Sequence, residues 1–212
     1  MDTWEMIDAE RTEMSDLCDT LTPEQWDMIS LCSAWRVRDV IGHVSGGANL
    51  SAGRAFLTLL KYGFRLGPML EKTAIQAGSA PTPQLAAEMR STIGARKTPP
   101  GVKPEGTLTD TVVHQQDVRR VIGVPRSIAP DRLRIALDQT KDTSVSLLPG
   151  KKRIAGLHLR ATDLDWEAGD AAAPKVTGTG EALLMAMAGR SVALADLSGS
   201  GVETLRGRLA PG

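Results

Sequence analysis

The stretch VRDVIGHVSGG, residues 37–47, decides the fold that we predict for this chain. Its aliphatic residues recur at intervals of three and four, which is typical of a helix with one buried face. The residues that carry this spacing are Val40, Ile41 and Val44. We expect the helix to begin near Val37 and to continue to about Leu60, with a kink or a close helix contact at Gly46-Gly47. His43 lies among its aliphatic side chains.

Helix-start signals on both sides of this stretch predict a helical bundle. The predicted starts are Asp2, Thr22-Pro23, Thr82-Pro83, Thr107 or Thr109, and Pro130-Asp131. Gly123 is placed to end the helix that finishes near Ile122. The segment from Tyr62 to Gly78 is interrupted by glycines and by Gly67-Pro68, so we expect irregular structure there.

The pattern changes near residue 150. The helix from Pro130 is expected to carry aliphatic side chains as far as Val145, Leu147 and Leu148, before Pro149-Gly150 breaks it. Residues 154–162 then alternate between apolar and polar, which predicts a strand with His158 on its polar face. We therefore predict an α+β protein: residues 1–149 form a helical bundle and residues 150–212 a small α/β domain.

Composition excludes several classes of protein. The 212 residues carry 25 basic and 25 acidic side chains, so the basic surplus typical of nucleic-acid-binding proteins is absent. No apolar run approaches the length of a membrane span, and the acidic N-terminus does not resemble a signal peptide. Cys18 and Cys32 are too few for a disulfide scaffold and are expected to be buried structural residues. We expect a reduced, cytoplasmic protein with neither a nucleic-acid nor a membrane partner.

One constellation has the residue types of a metal site. Asp110 and His114 are four residues apart on a predicted helix, so both project from one face, and Asp117 shares that face. With Asp110 and His114, a histidine from a facing helix would complete a three-ligand site with open positions, the form that catalytic metals use. The same spacing also fits a packed, hydrogen-bonded histidine or a surface Asp–His pair.

Several short motifs, in order along the chain, carry a family resemblance. Residues 35–44, WRVRDVIGHV, fit the pattern W-x-V-x-D-V-x-x-H, and Asp110, His114 and Asp117 fit a second pattern, E/D-x-x-x-H-x-x-D. Further matching segments are residues 159–166, 176–178, 188–190 and 196–202. Together they resemble the DinB-like, mycothiol-dependent maleylpyruvate isomerase family. Each motif is weak alone, and their order makes the resemblance fairly specific.

The resemblance implies a DinB-like four-helix bundle that holds one divalent metal, usually zinc, followed by a small sterol-carrier-like domain. The implied ligands are His43, Asp110 and His114. The family's best-studied members have Glu where this chain has Asp110, and the shorter side chain implies a weaker or water-bridged site. Where the family usually has a capping Thr, this chain has Arg36, which cannot cap in that way.

The family also implies mycothiol, a low-molecular-weight thiol, as cosubstrate. The metal would favour the thiolate, which would add to a small electrophile in a cis–trans isomerisation or an S-transfer. Arg190 is the candidate cation for an anionic substrate, and its alternative role is that of a surface or helix-capping arginine. The competing hypothesis is a non-catalytic module that binds a metal or a small ligand. A third possibility is a metal site that serves another thiol or a hydrolysis.

Overall fold

The computed structural model describes residues 1–32, 35–48, 50–144 and 148–209. The chain divides into two compact units, Met1–Arg126 and Ser127–Gly212. The first is mainly helical and the second combines helices with a three-stranded sheet, so the predicted α+β class is confirmed. The predicted domain boundary at residues 149/150 lies further along the chain than this division, and the two predicted domains stay a prediction. Val145 and Leu147 of the predicted helix lie outside the described residues.

The first unit contains seven helices within its described residues. They are α1 Thr3–Cys18, α2 Pro23–Asp27, α3 Val37–Gly47, α4 Ala52–Lys61, α5 Leu66–Gly78, α6 Thr82–Ser91 and α7 Pro104–Ile122. The capping residues predicted from the sequence are found at the ends of three of these helices. Thr22 and Gln25 form a reciprocal capping box at the start of α2, and Asp2 and Glu5 form another at α1. Gly123 ends α7 in the left-handed conformation, with φ of 71°.

Three expectations for the first unit are wrong. Helix α7 begins at Pro104 rather than at Thr107 or Thr109, because proline suits the first position of a helix. The helix predicted from Val37 to Leu60 is two helices, because α3 ends at Gly47 and the hydroxyl of Ser51 caps a new helix. The segment expected to be irregular contains α5. Pro68 does not prevent that helix, because it lies in the first turn, where a backbone N–H would have no partner within the helix.

Helix α3 packs closely on α5 at a pair of glycines. A Cβ atom at Gly42 would come within 2.9 Å of the Gly78 backbone nitrogen, and one at Gly78 would lie 2.1 Å from a carboxylate oxygen of Asp39. Helix α3 also packs on α6 and α7, and α1 packs on α6 and α7. The core between them includes Met14, Leu17, Trp26, Trp35, Val40, Ile41, Leu85, Met89 and Val118. Helix α3 therefore lies in the interior of this unit.

A buried ionic network joins α1 to the end of the unit. The Arg126 guanidinium lies 2.8 Å from Glu10, which is fully buried, and 2.5 Å from Glu13. Arg126 also donates to the side-chain oxygen of Gln116, and Gln115 donates to Glu10 at 3.0 Å. These bonds supply the partners that a buried carboxylate needs.

The second unit surrounds a small mixed sheet. Its elements are α8 Pro130–Asp142, α9 Gly150–Ile154, β1 His158–Ala161, β2 Glu167–Ala168, β3 Lys175–Gly178, α10 Gly180–Met187, a 3₁₀ helix Ser191–Asp196 and α11 Val202–Leu209. The strand order is β2-β1-β3, with β1 antiparallel to β2 and parallel to β3. Helix α10 packs on α8 and on the sheet.

The predicted strand is shorter than its alternating pattern, because Ile154 ends α9 and β1 begins at His158. His158, predicted on the polar face of the strand with a solvent-facing or inter-domain role, does not face solvent. His158 is 8% exposed, and its Nε2 lies 3.4 Å from a carboxylate oxygen of Glu167. Leu159 and Ala161 on the other face of β1 are also buried, whereas Arg160, two residues after His158, is exposed.

Arg126→Met is expected to destabilise the protein by about 3 kcal/mol, because it leaves the buried Glu10 carboxylate without its cation. Arg90→Met is the matched control: Arg90 pairs with Asp19 at the surface, and its loss is expected to cost less than about 1 kcal/mol. Urea unfolding of both variants measures the difference. Equal free energies of unfolding would show that the Arg126 network does not stabilise the fold.

Candidate metal centre

Helix α7 supplies three of the four polar side chains at this centre. From Leu108 to Val118 every residue of the helix is buried except Asp110, whose side chain is 47% exposed. Asp110 and His114 lie one turn apart, as their spacing predicts, and Asp117 lies on the same face. Helix α3 supplies the fourth side chain, His43, which is 17% exposed. The centre is therefore buried among helices and reaches solvent at Asp110.

The structure brings the three predicted ligands together. Asp110 lies between the two imidazoles: its Oδ2 is 3.7 Å from Nε2 of His43, and its Oδ1 is 3.5 Å from Nε2 of His114. One ligand-type atom of each residue lies within 4.8 Å of those of the other two. In a tetrahedral site with metal–ligand bonds near 2.1 Å, ligand atoms are about 3.4 Å apart. The residues present therefore fit one divalent cation.

Asp117 orients His114. The Nδ1 atom of His114 lies 2.9 Å from Oδ2 of Asp117, and the Asp117 side chain is fully buried. Because an ionised carboxylate only accepts hydrogen bonds, Nδ1 carries the proton of that bond. The lone pair of the neutral ring is then on Nε2, which faces Asp110. This carboxylate–histidine arrangement is common behind metal-binding histidines.

Trp35 packs against both imidazoles. Its ring centroid lies 4.8 Å from that of His43 and 5.5 Å from that of His114. The two imidazoles are 5.0 Å apart and nearly perpendicular. The sequence motif includes Trp35, but its spacing gave no sign of this contact, because the contact depends on the packing of the segment before α3 against α7.

The charges of the centre are mutually dependent. Although the Asp110 side chain reaches solvent, the protein groups crowded around its carboxylate disfavour ionisation; the charges and hydrogen bonds of His114 and His43 outweigh this effect and hold the pKa of Asp110 below its usual range. Burial also disfavours the charged form of His114, and the carboxylates of Asp110 and Asp117 outweigh it and raise the pKa of His114 to about 9. The two carboxylates therefore favour the imidazolium form of His114.

Cys32, which the sequence predicted to be a structural residue, lies beside the centre. Its sulfur forms a second group with His114 and Asp117, whose ligand-type atoms also lie within 4.8 Å of one another. Cys32 is half-buried, whereas Cys18 is buried as expected. Burial, together with the nearby Asp19, raises the pKa of Cys18 to about 12, so this thiol stays protonated and unreactive. His114 belongs both to this group and to the group of His43 and Asp110. If His114 binds a cation through only one of its ring nitrogens, the cation can occupy one group or the other.

Arg190, the predicted substrate cation, belongs to the second unit. It directly precedes the 3₁₀ helix, is half-buried and donates to the carbonyl of Ala188 at 2.7 Å. Its catalytic role stays a prediction.

Among the described residues, no helix is long and apolar enough to cross a membrane.

Comparison with known proteins supports the resemblance found in the sequence. No curated protein and no solved structure matches the chain. A family model described as the mycothiol maleylpyruvate isomerase N-terminal domain matches residues 7–98. This range contains His43 but ends before Asp110 and His114. Residues 7–98 thus belong to the mycothiol maleylpyruvate isomerase N-terminal domain family.

Proposed function

We propose that this protein is a metal-dependent enzyme that uses a low-molecular-weight thiol, mycothiol, against a small electrophilic substrate. His43, Asp110 and His114 would hold one divalent metal, with zinc as the first candidate. The reaction would be a cis–trans isomerisation of the maleylpyruvate type or the transfer of the thiol to the electrophile. The family of residues 7–98 supports this class of chemistry.

The observation that carries the proposal is the position of Asp110 between two imidazoles. Two neutral imidazoles and one carboxylate suit a borderline divalent cation such as zinc, and three protein ligands leave coordination positions for substrates. A bound divalent cation stabilises a thiolate at neutral pH, which is the activation that a weakly acidic thiol needs.

The protein's own residues hold and orient this centre. Asp117 fixes the ring of His114 through Nδ1, and Trp35 limits the rotation of both imidazoles. The exposed side of Asp110 is the point at which small molecules can approach, because the rest of α7 around it is buried. Arg190 is retained as the proposed cation for an anionic substrate.

We expect the purified protein to bind one zinc ion, and His43→Ala to weaken that binding by more than about a hundredfold, since even residues behind the ligands cost ten- to a hundredfold. Equilibrium dialysis with zinc and metal analysis measures this. His158→Ala is the matched control, because His158 lies in the second unit. Asp110→Asn is expected to lose binding and Asp110→Glu to keep it.

Full zinc retention by both His43→Ala and Asp110→Asn would overturn the proposed ligand set. If zinc retention then fell in Cys32→Ala, the metal would belong to the alternative group of Cys32, His114 and Asp117. Circular dichroism melting of each variant separates loss of the ligand from loss of the fold.

Asp117→Asn is expected to weaken zinc binding by about ten- to a hundredfold, because the amide no longer provides a charged acceptor for Nδ1 of His114. Asp39→Asn is the control, since Asp39 is equally buried on α3 but pairs with Arg36 rather than with a histidine. An unchanged zinc affinity in Asp117→Asn would show that this hydrogen bond does not tune the site.

The zinc-loaded protein is expected to consume mycothiol in the presence of maleylpyruvate or a panel of small electrophiles, and the chelated protein is not. Recovery of the thiol with altered substrate indicates an isomerase, and loss of the free thiol indicates a transferase. Zinc binding without turnover on any substrate of the panel would instead support the competing function, a non-catalytic binding module.

A further inference from the structure

Helix α4 presents an apolar face to solvent. None of its ten residues is buried. Its half-buried side, with Ala55, Thr58 and Leu59, lies toward α5, on which α4 packs. The opposite side carries large apolar side chains that are more than half exposed. They are Phe56 at 56%, Leu57 at 65% and Leu60 at 51%.

The chain after α4 extends this face. Phe64 is 60% exposed, and its ring lies 6.3 Å from that of Phe56 in an edge-to-face arrangement. Phe64 has a φ of 59°, the left-handed region that bulky side chains rarely adopt. This conformation turns the chain back so that Phe64 contacts Phe56. The same conformation lets the Phe64 N–H donate to the Leu59 carbonyl at 2.9 Å, which ends α4. That bond needs only the backbone of Phe64, so it does not account for an aromatic ring held in solvent, and we take the ring as part of a binding face.

The segment of chain that forms this face carries charge of one sign. Residues 50–70 contain three basic residues, Arg54, Lys61 and Arg65, and no acidic one, although the whole chain has no net charge. All three basic residues are exposed. Arg54 and Lys61 are seven residues apart and therefore share one side of α4, with Leu57 between them. The basic side chains thus border the apolar face.

From this arrangement we propose that α4 and Phe64 form a docking surface for an anionic lipid membrane. A short helix with phenylalanine and leucine on one side and basic residues beside them lies in the plane of the lipid interface, where the apolar side chains enter the acyl region and the cations meet lipid phosphates. The long side chains of Arg54 and Lys61 can reach the headgroups while Leu57 is buried.

A second copy of this chain fits the surface less well. A two-fold contact places the same patch on both sides, so it would bring two groups of three basic residues together, and residues 50–70 supply no acidic residue to pair with them. Membrane docking requires no spanning helix, and the proposal is independent of the metal centre, because α4 contains none of its residues.

Vesicle flotation with the full-length protein tests the proposal. We expect binding to phosphatidylcholine vesicles that contain phosphatidylglycerol, weaker binding at high salt, and little binding to phosphatidylcholine alone. Leu57→Ser with Leu60→Ser is expected to reduce binding by about a hundredfold, because each leucine contributes about tenfold. Arg54→Glu with Lys61→Glu is expected to abolish the preference for anionic vesicles.

The controls are Val192→Ser, which removes an exposed apolar side chain of the second unit, and Lys151→Glu, which reverses an exposed charge there. Both are expected to bind vesicles like the wild type. Failure of the wild type to bind anionic vesicles at low salt, or equal binding by the double-serine variant, would overturn the proposal. A dimer in sedimentation analysis that the serine substitutions dissociate, without vesicle binding, would assign the face to a second copy instead. Unchanged melting temperatures show that each variant is folded.

Discussion

The close approach of α3 and α5 at Gly42 and Gly78 fixes the helix that carries His43. A side chain at Gly42 would meet the backbone of α5, and one at Gly78 would meet Asp39, so this contact cannot widen without moving α3. Residue 43 directly follows the contact. The proposed ligand His43 is thus held in place by backbone packing, which permits much less movement than a long side chain would.

The centre then combines rigidity with access. Asp117 and Trp35 fix His114 from the buried side, whereas Asp110 is half exposed. Because the carboxylates of Asp110 and Asp117 favour the imidazolium form of His114, the proposed divalent cation would replace a proton rather than enter an apolar core. The folded protein therefore already holds these charged groups together. The exposed side of Asp110 leaves room for small reactants.

The sequence predicted what depends on local spacing and missed what depends on tertiary contact. Asp110 and His114 are one helical turn apart, so their proximity follows from periodicity alone, whereas the approach of His43 was implied by the family resemblance. The positions of Cys32 and Trp35 beside His114 could not be derived, because both precede α3 in non-helical segments. The helix at Leu66–Gly78 was missed because Pro68 interrupts a helix interior but not a first turn.

The zero net charge of the whole chain conceals a basic segment. Equal numbers of acidic and basic residues argue against a strong overall field, yet residues 50–70 carry only positive charge. The sequence argument against a membrane partner considered only spanning segments, and α4 is too short to span. A ten-residue helix with one exposed apolar side belongs instead to the class of helices that lie in the membrane interface. For these helices the distribution of charge around the apolar face matters more than length. Since α4 and the metal centre share no residue, selection could retain or lose either one without the other.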